Sequence, residues 1–483
     1  MKHFDLVIVG GGAGAFAATI KADELGAKTL MVNAGLPLGG TCVNVGCVPS
    51  KTLLWAGEVL HLAKHHGIPG IELEVKNFDF QKVVQDELSL VERMRHEKYV
   101  NILQHLTHVT VMEGRAAFAS PHEIEMRPSA DSTSSPQAGS GQAGERISAD
   151  KFIVAAGSTA NVPPITGIRD VGYITHIEAL KLKTQPKELI VVGAGPLGLE
   201  FAQMFSRFGT KVTILQRGPS LFPPADKALI SRLTEILAKE GITTKTNVEV
   251  QSARLEHGKK VLSYLAGGKP EEVSGDEILL AAGKTPNTQG LGLEKAGVAI
   301  DTRQAITVKP SFQTSQPRIF AVGDITNLPM RLEPTAGHEG TLAAENALSG
   351  SQHSIDYRSV PYTIFTDPQL AGVGITEEEQ MKEMHTCLCR TIPFTYVPKA
   401  IIMHRTEGLI NMTAHPKTKQ ILGVHILAPH AGELIAEAMM LVKNKNTLDD
   451  VIHSLPMFPT LAEAIKIVAM SFTKDISKLS CCV

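Results

Sequence analysis

The chain has 483 residues, 43% hydrophobic and 20% charged, with 47 Lys plus Arg against 49 Asp plus Glu. That length exceeds a single hydrophobic core and calls for about three domains, while a formal net charge of −2 offers no basic surface for nucleic acid. Six cysteines in so long a chain point to catalytic or metal-binding thiols rather than a disulfide framework, and the early apolar run is too broken by Asp5 and glycines for a signal peptide or membrane span, so a cytoplasmic protein is expected.

The first predicted elements lie in "FDLVIVGGGAGAFAATIKADELGAKTLMVN": a β-branched apolar strand, a glycine-rich turn, a helix and a second strand. Gly10, Gly12 and Ala15 fit G-x-G-x-x-G/A, in which glycine makes the tight turn and lets a pyrophosphate approach a helix N-terminus. Next, "GGTCVNVGCVPSK" holds Cys42 and Cys47 in C-x4-C spacing. Five steps of about 100° leave two helical side chains roughly 140° apart, too far round for an unstrained bridge. The helix is therefore expected to start irregularly, which Gly39, Gly40 and Gly46 permit and the first-turn tolerance of Pro49 requires. Sulfurs at a helix N-terminus sit where the dipole favours thiolate. A buried thiol pair and half of a zinc site are the alternative readings, although no further Cys or His stands at short spacing to complete the latter.

The stretch "RPSADSTSSPQAGSGQAGER" reads as an excursion in a hairpin loop, because the strand-like "HEIEM" and "DKFIVAAGS" flank it. Beyond it, "KELIVVGAGPLGLEFAQMFSRFGTKVTILQR" repeats the first design with Gly193, Gly195 and Gly198. Two copies, each in strand-turn-helix context, predict two dinucleotide sites. At the end of the second strand of this repeat, neutral Gln216 and cationic Arg217 suit a 2′-phosphate, where an NAD reader presents a carboxylate; NADPH is expected. After about residue 357 the strands "GLINMTA" and "ILGVHIL" and the helical runs "AGELIAEAMMLVKN" and "LAEAIKIVAMSF" predict an α+β domain without a fingerprint. Cys387 and Cys389 fall on one face of a predicted strand, either as a second metal-collecting pair or as small apolar strand residues. Cys481 and Cys482 stand side by side in "SKLSCCV", where an exposed thiol pair is a liability unless it is used.

With "VAAGS" at 154–158, "AAGKTPN" at 281–287 and "IFAVGDI" at 319–325, the two fingerprints and the C-x4-C pair make essentially the whole chain resemble the flavoprotein disulfide reductases. The resemblance implies two Rossmann-like dinucleotide-binding domains plus a C-terminal α+β dimerisation domain, with FAD and NADPH as cofactors and a homodimer as the working unit. The implied boundaries are 1–157 and 285–357 for the two parts of the FAD domain, 158–284 for the NADPH domain and 358–483 for the interface domain with its Cys-Cys tail. In such enzymes the first cysteine exchanges with substrate and the second faces the flavin as a charge-transfer thiolate, roles that map onto Cys42 and Cys47. Asp324 matches the residue that holds the flavin's ribityl chain, while Lys51 and Glu200 match an ion pair beside its reactive nitrogen. Gly14, Gly40, Thr41 and Gly157 join the implied cofactor-binding set near the first fingerprint, and Gly283 joins it near the second. Asn33 stands where the family usually places an acid on the FAD ribose; its amide still offers a hydrogen bond to a hydroxyl.

Members that act on organic disulfides carry an acid-base histidine before a Pro-Thr pair near the C-terminus. Here Phe458 occupies that place in "MFPTLAEA", ahead of the retained Pro459, Thr460 and Glu463. Phenylalanine carries no proton, so organic disulfide reduction is disfavoured, with His453 the nearest replacement in sequence. Members that reduce Hg(II) also lack the histidine and end in the same vicinal cysteines. A large soft ion passes from one dithiol to another by exchange, so Cys481 and Cys482 of one subunit would deliver thiol-bound Hg(II) to Cys42 and Cys47 of the other. Tyr99 matches one of two active-site tyrosines of that branch, and Phe458 falls on the other. The expected activity is NADPH- and FAD-dependent reduction of Hg(II) to elemental mercury; a dihydrolipoamide dehydrogenase or low-molecular-weight disulfide reductase and a non-catalytic metal-sequestering protein are the alternatives. No nucleic-acid or membrane partner is expected, and no thiol-bearing domain ahead of the first fingerprint.

Overall fold

The computed structural model describes residues 1–127, 139–140 and 144–480. Both glycine fingerprints seed parallel sheets, and each sheet belongs to one of two compact units. The first unit comprises Met1–Ser50, Val84–Asn161 and Gly283–Tyr357. Its central strands Arg146–Val154, Lys2–Val9, Thr29–Asn33 and Val109–Glu113 run parallel in that order, with Leu6 opposite Thr29 and Thr29 opposite Val109. All five residues of Thr29–Asn33 are buried, as a parallel strand covered on both faces demands. Alternation sorts the two faces: Leu6 and Ile8 pack with Ala15, Ala18 and Ala343, whereas Val7 and Val9 pack with Phe118, Phe152 and Ile306. The helix Ala13–Glu24 crosses Glu333–Ser349 at two glycines, since a Cβ on Gly340 would collide with the carbonyl oxygen of Gly14.

The strands Glu123–Arg127 and Arg146–Val154 pair antiparallel, with Ile124 opposite Ile147. These are the flanks that the Ser/Gly-rich stretch was expected to join as a hairpin. Most of that stretch, 128–138 and 141–143, lies outside the described residues.

The second unit comprises Lys51–Val83, Val162–Ala282 and Arg358–Val483. Its parallel sheet runs Thr243–Lys245, Lys211–Leu215, Glu188–Val192, Glu277–Leu280, and a three-stranded antiparallel sheet accompanies it. A further five-stranded antiparallel sheet contains Leu409–Ala414 and Ile421–Ala428, the two strands read from sequence. The helices Ala431–Lys443 and Glu463–Met470 contribute Ile435 and Val468 to its core, beside Phe394, Ile410, Met412 and Ile426. Two Rossmann-like domains and a C-terminal α+β domain are therefore the fold. No described helix is long and apolar enough to cross a membrane.

One helix of the second unit holds a loop in place through residues spaced three and four apart. Glu200, Gln203 and Arg207 share a face of Pro196–Arg207. Glu200 Oε1 accepts from Phe365 N at 2.9 Å, Gln203 exchanges two hydrogen bonds with the Asp367 backbone at 2.7 and 2.8 Å, and Arg207 pairs with the Asp367 carboxylate at 3.1 Å. Burial costs these charges their hydration, so each needs the partners it has.

Candidate active site

Cys42 and Cys47 occupy two consecutive short-range elements of the first unit. Gly39 and Gly40 take φ of 92° and 59° to start the helix Gly40–Val45, and Gly46 breaks it at φ −131°, ψ −111° so that Cys47 can open the helix Cys47–His65. The irregular start expected from the spacing is thus a helix–break–helix, with Cys42 inside the first helix and Cys47 at the N-terminus of the second. Asn44 pins the turn: its Nδ2 donates to the carbonyls of Pro37, Leu38 and Gly40 at 3.0, 3.2 and 2.8 Å, and its Oδ1 accepts from Arg95 at 3.2 Å. No motif singled out Asn44.

Neither sulfur is in a disulfide; Cys42 is half-buried and Cys47 exposed. The hydrogen bond from Cys42 to Cys47 holds the Cys42 thiol well above its ordinary value, with burial and the charges of Cys47 and Glu333 adding to the effect. Cys42 therefore keeps its proton in the resting pair. Tyr99 lies in a π-helical turn, His96–Val100, with its ring edge-on to Phe16 at 4.9 Å and against Gly39. Burial, then the neighbouring acidic groups Cys42, Glu333 and Cys47, pushes its hydroxyl up to about 12. It remains a phenol beside the cysteine pair. Glu333, at the start of Glu333–Ser349, is a member of this group that sequence reasoning missed.

The glycine turn above this pair has the shape of a phosphate cradle. Gly10 takes φ 137° beneath the carbonyl of Ala155, and a side chain there would collide with it. Gly12 is different: its φ is −86°, and a Cβ would meet nothing nearer than Gly40 Cα at 3.7 Å. Folding alone does not demand glycine at that point, whereas a phosphate on the uncapped N-terminus of Ala13–Glu24 does. Gly14 and buried Ala15 pack under the turn, and Gly40 faces Gly12, with Thr41 following it. Asn33 is buried at the end of Thr29–Asn33, donating from Nδ2 to Leu36 O at 3.0 Å and turning Oδ1 toward Gly11. Asp324 accepts from Ser158 Oγ at 2.7 Å and lies 3.7 Å from Lys284 Nζ. Gly157 and Gly283 take φ of 67° and 94° where the short strands Ser158–Ala160 and Lys284–Pro286 pair. These residues fit FAD.

In the second unit the same skeleton recurs. Gly193, at φ 106°, lies beneath the carbonyl of Ala281, Gly198 packs on the carbonyl of Gly193, and Gly195 again has an ordinary φ of −73° with nothing within 4 Å of a Cβ. The helix Pro196–Arg207 also starts without a side-chain cap. Gln216 closes over the turn by accepting from Ala194 N at 3.1 Å and donating to Ser220 O at 3.2 Å. Arg217 is exposed and makes no ion pair among the described residues. A pyrophosphate with a nearby 2′-phosphate fits here, so the residues accommodate NADPH. Lys51 Nζ stands 2.8 Å from Glu200 Oε2 and 4.6 Å from the centroid of Phe365. Glu200 is thereby held on both oxygens, by Lys51 and by the Phe365 amide.

Phe458 is exposed in the second unit, and Thr460 N donates to the buried Glu463 at 3.1 Å. Cys481 and Cys482 lie outside the described residues.

Residues 4–340 match the pyridine nucleotide-disulphide oxidoreductase family, and residues 360–469 match the dimerisation domain of that family. The chain is 35% identical to the mercuric reductase of Staphylococcus aureus over 480 residues, covering 99% of this chain and 84% of the relative. It is 35% identical to that of Streptomyces lividans over 481 residues, covering 99% and 98%. Among solved structures it is similar to the HOCl-induced flavoprotein disulfide reductase RclA from Escherichia coli, with TM-score 0.84, 25% identity and coverage of 97% and 100%. The Cu(II) complex of that reductase is similar at TM-score 0.84 and 26% identity, covering 98% and 100%.

Proposed function

This chain belongs to the pyridine nucleotide-disulphide oxidoreductase family, and we propose that within it the protein reduces Hg(II) to elemental mercury with FAD and NADPH. What carries the proposal is a redox-type dithiol, Cys42 and Cys47, joined in one chain to a vicinal terminal pair, Cys481 and Cys482, with no proton carrier at Phe458. The cofactors, when bound, supply an electron pair from nicotinamide through isoalloxazine. Gly10, Gly12, Gly14, Ala15, Asn33, Gly40, Thr41, Gly157 and Asp324 would hold FAD. Gly283 would join the FAD set, and Gly193, Gly195, Gly198 and Arg217 would hold NADPH, with Lys51 and Glu200 setting the charge beside the flavin.

Two thiolates suit a soft cation that favours few, strongly bound ligands. Cys42, holding the proton of the resting dithiol, gives it up as it takes a ligand position; Cys47, at the start of its helix, supplies the other sulfur. Tyr99 stays a phenol, its hydroxyl a donor available to the two sulfurs. Two electrons delivered to Hg(II) convert it to the neutral atom, which has little affinity for thiolate, so both sulfurs are left reduced. The absence of an acid at position 458 does not hinder this reaction, because no thiol leaving group must be protonated.

We assign residues 1–157 and 285–357 to FAD, 158–284 to NADPH and 358–483 to a homodimer interface, across which the Cys481–Cys482 tail of one subunit serves the inner pair of the other, in the cytoplasm. The test is NADPH oxidation with Hg(II) in excess thiol, compared with lipoamide, glutathione disulfide and Cu(II). Stimulation by Hg(II) is expected; turnover of lipoamide or glutathione disulfide alone would overturn the assignment. Cys47→Ser is expected to abolish the long-wavelength band of the two-electron-reduced enzyme. Cys481→Ala with Cys482→Ala should cripple turnover of thiol-bound Hg(II) while flavin content persists, and mixing it with Cys42→Ala should restore activity through subunit exchange. The Cu(II) complex of the similar reductase supports a second reading, reduction of Cu(II) at the same dithiol; stimulation by Cu(II) but not by Hg(II) would select it.

A further inference from the structure

Away from both cradles, the loop between the helix Glu377–Met384 and the strand Cys389–Pro393 brings two thiols against a carboxylate. The strand begins only at Cys389, so Cys387 lies ahead of it and the two sulfurs do not share a strand face in the way the spacing implied. Instead the loop folds back: Cys387 Sγ, Cys389 Sγ and a carboxylate oxygen of Glu377 all lie within 4.8 Å of one another. Both thiols are free and half-buried. Cys389 is hydrogen-bonded to Cys387 and to Glu377, and Cys387 Sγ donates to Gln380 Oε1 at 3.3 Å. Gln380 is fully buried and anchored through Nε2 to Ala414 O at 2.8 Å, which turns its Oε1 toward the sulfur.

The three consecutive glutamates at the head of this helix divide their work. Glu379 closes the capping box with Thr376, Glu378 pairs with Lys227 at 2.8 Å, and Glu377 is the one turned to the thiols. Burial, and for Cys389 then the hydrogen bond and charge of Cys387, keeps both thiols above their ordinary values. A cation between them would reverse that balance.

We propose that Glu377, Cys387 and Cys389, with Gln380 Oε1 as a fourth donor, bind a thiophilic divalent d10 cation. With metal–sulfur bonds of about 2.3 Å and metal–oxygen bonds of about 2.1 Å, a tetrahedral site has ligand–ligand edges of about 3.4 to 3.8 Å. The 3.3 Å sulfur–oxygen spacing and the 4.8 Å bound on the triad are of that size, so small side-chain shifts complete the site. Binding forms two metal–thiolate bonds, breaks two S–H bonds and releases both protons to solvent, with no electron transferred. The site is independent of the Cys42–Cys47 reading, and its failure would leave that reading untouched.

Zn(II) alone is the probe. An FAD-loaded chain carrying Cys42→Ser, Cys47→Ser, Cys481→Ser and Cys482→Ser keeps only Cys387 and Cys389 of its six cysteines. Equilibrium dialysis of this chain is expected to give one Zn(II) per chain. Adding Cys387→Ser with Cys389→Ser should weaken binding at least roughly 100-fold, and Glu377→Gln, a change at an exposed position that leaves the fold intact, roughly 10-fold. No Zn(II) bound by the parent, unchanged binding with both serines, or unchanged binding with Glu377→Gln would each overturn the proposal.

Discussion

The two glycine turns of this molecule are built on one skeleton and finished differently. In each, the first glycine passes beneath a carbonyl, Ala155 for Gly10 and Ala281 for Gly193, and the second, Gly12 or Gly195, leaves open space at an uncapped helix N-terminus. The finish differs at the end of the second strand. Asn33 is buried and spends its amide on Leu36 O, whereas Gln216 braces the turn itself and leaves the exposed Arg217 beside it. The shared part is steric and electrostatic and serves any pyrophosphate; the strand end faces the ribose and decides which dinucleotide is held.

The sharpest way to break that comparison is to put the same side chain into both open positions. Gly12→Val should yield a colourless protein, because the new side chain occupies the phosphate's place and disturbs no close packing; the visible spectrum of the purified protein decides it. Gly195→Val should leave flavin bound and raise the KM for NADPH by roughly 100-fold or more. Loss of flavin from the Gly195 variant would show that the two cradles are not separate. Next in size is Arg217→Glu, which replaces a phosphate partner by a repelling charge and should swing the ratio of kcat/KM values toward NADH by roughly 10- to 100-fold. Unaltered preference would remove Arg217 from the site.

Asn33→Asp probes the other strand end. The family's usual acid has no N–H to give, so here it would set a carboxylate against Leu36 O and lower stability by about 1–2 kcal/mol, read as an earlier midpoint in urea with FAD bound. The smallest effect concerns Tyr99, beside the first turn at Gly39. Its hydroxyl is raised from 10.0 to about 12, so the native state is favoured while the phenol is protonated, and that contribution is lost as pH rises from about 10 through 12. Urea midpoints of the parent and Tyr99→Phe should hold a constant difference below pH 10, and the parent should lose stability relative to the variant above it; parallel curves throughout would contradict the burial of the hydroxyl.

Local spacing made much of this protein legible from its sequence. The two strand–turn–helix repeats, the strands and helices of the C-terminal domain and the C-x4-C pair each depend on residues within a few turns of one another, where chain geometry leaves little freedom. Asn33 and Gln216 could be located at their strand ends, although not which backbone groups they would bond. Tertiary structure alone decided what surrounds them. Ser158 and Lys284 meet Asp324 from distant parts of the chain, Gln203 and Arg207 reach Asp367, and Glu333 joins Cys42, Cys47 and Tyr99. None of these has a spacing that a period of two or 3.6 would mark. Cys387 and Cys389 show the limit most plainly. Their separation implied a common strand face, but the strand starts at Cys389 and the preceding loop turns Cys387 toward Gln380. Hydrogen bonds and burial across the fold, which period-based reading does not contain, selected that turn.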